Sequence, residues 1–131
     1  MKLFIFTILT AFSFATHAAV IDDVLATYKA AGVDQFSAED GKILWNKDFP
    51  DPKKPGKVRN CHTCHGKDLT KKGKHVRTGK VIDPLAPSVN KERFTDPKFI
   101  AKWFKRNCKW VIGRQCTAQE KGNVLTYLRN K

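Results

Sequence analysis

Cys61-His62-Thr63-Cys64-His65 is the stretch on which the reading of this chain turns. Cys-x-x-Cys-His is the attachment signature of a c-type haem. Two thiols one helical turn apart can both reach the vinyl groups on one porphyrin edge. Two thioether bonds then fix the ring in one orientation. His65 lies beneath that ring and can offer an imidazole nitrogen to the iron as proximal ligand. Three other readings compete: a redox Cys-x-x-Cys, half of a zinc site, and a plain disulfide. A thioredoxin-type motif belongs to a βαβ pattern, which this sequence lacks. A zinc site needs two further ligands, and Cys108 and Cys116 are the ones at hand.

Working outward, the start of the chain fits the same picture. Met1 and Lys2 give a positive start, and residues 3–14 form a nearly unbroken apolar run. That run falls short of the roughly 20 residues a membrane-spanning helix needs. Thr16-His17-Ala18 offers small residues where a signal peptidase reads. We expect a secretory signal peptide over residues 1–18 and one mature domain over residues 19–131. Haem is attached to cytochromes c outside the cytoplasm, so a periplasmic destination agrees with the motif. A mature chain of 113 residues is one small domain, to whose core a tethered haem is a substantial addition.

The whole chain carries 25 basic and 12 acidic residues, a net charge of +13; loss of Lys2 with the leader leaves +12. Such a field attracts acidic partners. Export, and the absence of any nucleic-acid-binding motif, argue against DNA or RNA. An acidic redox protein is the better fit, with transient attraction to an anionic membrane surface as a second. Solubility alone is the plainer account of scattered lysines.

The mature sequence reads as short helices joined by long loops. Residues 21–31 have helical spacing and end at Gly32. Ser37-Ala38-Glu39-Asp40 resembles a capping box ahead of residues 41–46. Residues 49–58 are rich in Pro, Lys and Gly and read as loop, as do residues 67–90. The attachment motif is expected on a short helix ending at Gly66. Asp96-Pro97 opens a helix to about residue 109, and Thr117-Ala118-Gln119-Glu120 caps a last one through residue 128. No strand alternation is visible. This is an all-α layout, that of a class I cytochrome c fold.

The second axial position of the iron governs function. Met1 is the only methionine and leaves with the leader, so a His/Met site is excluded by composition. His75, His62, a lysine, an asparagine or nothing remain. His62 sits inside the attachment motif, poorly placed for the opposite face. His75 lies among Lys71, Lys72 and Lys74 and reads as a solvated loop residue. Phe99, Ile100, Trp103 and Phe104 form an apolar stripe, and its continuation from Ile100 reaches Asn107. An unpartnered buried amide costs roughly 1–3 kcal/mol, so Asn107 needs a partner, and iron is a candidate. From spacing alone, an asparagine fraying or capping the helix end is the simpler account. Cys108 and Cys116 are the cysteines left after haem attachment. Pairing them would close a loop of about nine residues and contribute roughly 2.5 kcal/mol; two free thiols are the alternative.

The chain resembles the SHP (sphaeroides haem protein) family of monohaem cytochromes c. The resemblance rests on Cys61-His62-Thr63-Cys64-His65-Gly66, Thr78-Gly79-Lys80, Ala86-Pro87-Ser88 and Arg93-Phe94-Thr95-Asp96-Pro97. Most specific are Trp103-Phe104-Lys105-Arg106-Asn107-Cys108, Gly113-Arg114 and Cys116. It implies one covalently attached haem c and a class I cytochrome c fold. It implies Asn107 as a sixth ligand that leaves on reduction, and a Cys108–Cys116 disulfide. Ferrous iron would then bind oxygen, nitric oxide or carbon monoxide, with a dihaem cytochrome c as electron donor. Trp103 and Phe104 would keep the distal side apolar. Three functions follow for testing: a gas-binding cytochrome that reduces or detoxifies oxygen or nitric oxide, a plain electron carrier, and a haem sensor without turnover.

Overall fold

The computed structural model describes residues 17–131. Five helices carry the fold: α1 (His17–Ala30), α2 (Ala38–Asn46), α3 (His62–His65), α4 (Pro97–Val111) and α5 (Ala118–Arg129). None of the described helices is long and apolar enough to cross a membrane. Residues 1–16 of the expected leader lie outside the described residues; His17, Ala18 and the expected cleavage point after Ala18 fall in the first turn of α1.

The helix ends follow local chemistry. Ser37 caps α2 by accepting the Asp40 N–H at 3.0 Å. Asp96 caps α4 by accepting the Lys98 N–H, with Pro97 in the first turn. At α5 both halves of the capping box are present: Thr117 accepts the Glu120 N–H, and Glu120 accepts the Thr117 N–H.

The segments read as loop, residues 49–58 and 67–90, contain two short strand pairings within the all-α fold. Phe49–Pro50 (β1) pairs antiparallel with Val58–Arg59 (β2), and Gly73–Lys74 (β3) with Val81–Ile82 (β4). Each strand has two residues, too few for an alternating pattern to register. Turn bonds such as Asp51 N–H to the Lys57 carbonyl hold these hairpins instead.

Two apolar clusters share α5. Val20, Ile21, Val24 and Leu25 of α1 meet Ile100 of α4 and Leu125 of α5 in the first. Trp45 of α2, Leu69, Ala86, Val124 and Leu128 make the second. Phe94 and Phe104 touch both. Phe94 has φ of 60°, an uncommon conformation for a bulky residue, and its ring fills the junction between the clusters. The α2–α5 crossing depends on Gly41, where a Cβ would collide with the Asn123 carbonyl. Asn123 is buried beside it, its side-chain oxygen accepting from the Ser37 N–H and from Gln119.

Candidate haem site

Asn60 builds the attachment turn from below. It is buried, and its side-chain oxygen accepts both the Thr63 N–H (2.8 Å) and the Thr63 hydroxyl (2.6 Å). Its amide donates to Asp48 at 2.7 Å. An asparagine ahead of a helix satisfies N–H groups that have no intrahelical acceptor. The Cys61 N–H bonds the Trp45 carbonyl at 3.3 Å, which fastens α3 to the end of α2. Gly66 ends α3 with φ of 75°. On its other side α3 lies against β3 so closely that a Cβ on Gly73 would enter the Cys64 carbonyl and stand 2.9 Å from the His65 Cα.

Cys61 and Cys64 carry free thiols on this turn. Cys61 packs against the second cluster, and burial pushes its thiol up to about 12. The His65 imidazole stands 5.5 Å from the Trp45 ring. Burial, with the Arg93 cation adding to it, pushes His65 down to about 4. It is therefore neutral at physiological pH and keeps a nitrogen lone pair for a metal. Neither of its ring nitrogens takes part in a hydrogen bond among the described residues. Arg93 is held by the Pro84 carbonyl (2.8 Å) and the Asp83 carbonyl (2.6 Å). Two unpaired thiols on one helical turn and one neutral imidazole without a hydrogen bond among the described residues fit a haem c.

Asn107 lies inside α4, four residues before its last residue, and is half-buried. Its side chain makes no hydrogen bond among the described residues. The C-cap is Ile112, so Asn107 neither caps nor frays the helix. Phe104, one turn earlier, joins the second cluster along with Cys61. Trp103 is exposed, edge-to-face with Phe99 at 5.7 Å and covered by the Arg106 guanidinium at 5.0 Å. Cys108 and Cys116 are joined by a disulfide, with Cα atoms 5.6 Å apart. Bonded to each other, they are not available as zinc ligands, and no group of three metal-binding side chains occurs among the described residues. His75 sits in the β3–β4 turn, where its Nδ1 accepts the Thr78 N–H at 3.2 Å. The His62 Nδ1 is buried without a partner, on the same short helix as His65.

The sequence alone assigned Trp45, Asn60, Gly73 and Arg93 no role at the site. Asn60 alone had a local signal, a cap-type residue immediately ahead of the attachment motif. The others act from distant parts of the chain.

A family described as a domain of unknown function (DUF1924) matches residues 31–128. The cytochrome c-type protein SHP of Cereibacter sphaeroides is 45% identical over 107 residues, covering 80% of this chain and 79% of that protein. This chain belongs to the SHP-type cytochrome c family. Cytochrome c'' of Methylophilus methylotrophus is 41% identical over 92 residues, 70% of this chain and 62% of that relative's length. The structure of oxidised SHP, an oxygen-binding cytochrome c, matches with a TM-score of 0.74 and 42% identity, covering 85% of this chain and 96% of that one. Oxidised cytochrome c'' matches with a TM-score of 0.73 and 33% identity, over 88% and 94% of the two chains. The solution structure of cytochrome c'', which addresses haem-ligand detachment in that protein, matches at 0.70 and 33%, over 88% and 93%. Membership of the family establishes an all-α cytochrome c fold and one covalently bound haem c, a single attachment motif being present.

Proposed function

We propose that this chain is an exported, periplasmic monohaem cytochrome whose sixth ligand, Asn107, holds ferric iron and lets go on reduction. Residues 1–18 are its leader and residues 19–131 its mature domain. Cys61 and Cys64 would carry the haem, and His65 would be its proximal ligand. The haem would supply an iron able to bind oxygen, nitric oxide or carbon monoxide once Asn107 has let go.

The observation that carries this reading is Asn107 itself: a half-buried carboxamide inside a helix, on the shoulder of its apolar face, with no hydrogen-bond partner among the described residues. Methionine is absent beyond Met1, and His75 is engaged in its own turn. A carboxamide oxygen is a weak, hard donor, which ferric iron tolerates better than ferrous iron does. Once released, the amide N–H can donate to a bound diatomic. Phe104 would keep the distal side dry, and Trp103, one turn before Asn107, would shield it. Oxygen binding by SHP and haem-ligand detachment in cytochrome c'' point the same way. The Cys108–Cys116 bridge would hold the backbone just beyond Asn107.

Electrons would come from an acidic redox protein such as a dihaem cytochrome c. Lys71, Lys72, Lys74, Arg77 and Lys80 are exposed on or beside the β3–β4 hairpin, and no acidic residue lies between Asp68 and Asp83. With a competent donor, the same open iron could support oxygen or nitric oxide reduction, or nitric oxide dioxygenation.

Carbon monoxide titration of the dithionite-reduced protein tests the reading. A five-coordinate ferrous spectrum that converts rapidly to a carbonyl spectrum is expected. A six-coordinate ferrous spectrum unchanged by carbon monoxide would return the chain to plain electron transfer.

A further inference from the structure

We propose that Arg59 is a positioning residue that sets how firmly Asn107 is held on ferric iron; this rests on the sixth-ligand reading above. Arg59 stands two residues before Cys61, at the end of β2. Its side chain is 11% exposed and that of its partner Asp51 is 10% exposed. One guanidinium nitrogen, Nη2, donates to Asp51 Oδ1 at 2.7 Å. The other, Nη1, donates to the Trp110 carbonyl at 2.8 Å. The guanidinium also lies over the Trp110 ring, 4.5 Å from its centre. Asp51 is itself fixed, because Oδ1 accepts the Lys53 N–H at 2.8 Å.

Trp110 lies in the last turn of α4, three residues beyond Asn107. Carbonyls of a last turn lack intrahelical donors, and Arg59 supplies one. Among the described residues no other hydrogen bond joins residues 58–66 to α4. The disulfide ties the same end of α4 to Cys116, the residue before the α5 cap, but it does not reach the attachment segment. Arg59 therefore links the segment that would tether the haem to the helix that would present its weak ligand. A weak ligand depends on preorganisation: its net hold is what remains after the cost of keeping the donor in place. A planar fork that bonds a carboxylate and a carbonyl while stacking on an indole constrains that donor, and lysine cannot reproduce it.

Imidazole titration of the ferric holoprotein tests this, because imidazole competes with Asn107 for the iron. Asn107→Ala is expected to raise imidazole affinity most. Arg59→Lys is expected to raise it about tenfold, on the scale of one hydrogen bond to a charged group. In the Asn107→Ala background Arg59→Lys is expected to add nothing, since its effect passes through Asn107. The ferric-to-ferrous potential should rise in both single variants, because each weakens a ligand of the ferric state. A fall in stability alone, without a change in imidazole affinity, would make Arg59 a structural residue and overturn the proposal. So would an Arg59→Lys effect that persists without Asn107. If Asn107→Ala leaves imidazole affinity unmoved, the sixth-ligand reading fails first. Asp51→Asn, which loosens the same fork while keeping Arg59, is expected to show the same tightening to a smaller degree and serves if Arg59→Lys does not yield holoprotein.

Discussion

The attachment segment and α4 carry their chemistry in opposite ways. The segment around α3 places both thiols and the imidazole in five consecutive residues. Its supports then converge on it: Asn60 caps it, Trp45 borders it, and Gly73 lets β3 lie against it. In α4 a single amide, Asn107, sits among basic and aromatic residues over a 15-residue helix. The packing and ties of α4 come from α1, α5, the disulfide and Arg59. A covalent site tolerates imprecision, since the bond holds once formed. A weak coordinate bond does not, because a small displacement of the donor competes with the bond itself.

The largest effect should come from the attachment segment. Cys61→Ser with Cys64→Ser should abolish covalent haem, read as loss of haem-linked peroxidase staining on a denaturing gel. Surviving stain would remove the basis of the contrast. Gly73→Ala should come next, costing about 1–3 kcal/mol through overpacking against the Cys64 backbone. Denaturant unfolding measures it, and a neutral result would mean that the β3 contact does not constrain α3.

On the α4 side, Cys108→Ser with Cys116→Ser should cost roughly 2.5 kcal/mol by the loop-entropy estimate while leaving haem attached. Loss of haem from that variant would blur the distinction between the two regions. Thr117→Ala removes the α5 cap beside the disulfide and should cost about 1 kcal/mol, measured by the shift in unfolding midpoint.

The smallest effect is a pH dependence. The Arg114 hydrogen bonds, aided by the Thr117 N–H and opposed by burial, hold Glu120 down from 4.5 to about 2. The unfolded chain binds that proton at higher pH than the folded one. The contribution is therefore complete above about pH 4.5 and is lost as pH falls toward 2. Arg114→Met should flatten the decline in unfolding free energy across that window; an unchanged slope would show that the pair is screened.

Much of the fold was legible where the signal is local. The cap residues at Ser37, Asp96 and Thr117 mark helix starts that the structure contains, because a cap acts over one turn. Gly66 likewise ends α3. The two hairpins were not legible: two-residue ladders leave no periodicity, and Pro50 and Gly73 read as loop residues. Nor were the partners of the site. Arg59 and Trp110 are 51 positions apart, and no pattern within either stretch announces the other.

What the sequence determined by itself is the covalent chemistry: two thiols and an imidazole at a spacing that one helical turn makes convergent, in a chain whose only methionine is Met1. The tertiary structure alone decided that His65 is half-buried, neutral and set against Trp45, and that Asn107 lies within a helix with no hydrogen-bond partner among the described residues. The reason is range. Bonds between neighbours in sequence follow from residue type and spacing. The environment of a half-buried donor is assembled from segments that meet only when the chain folds.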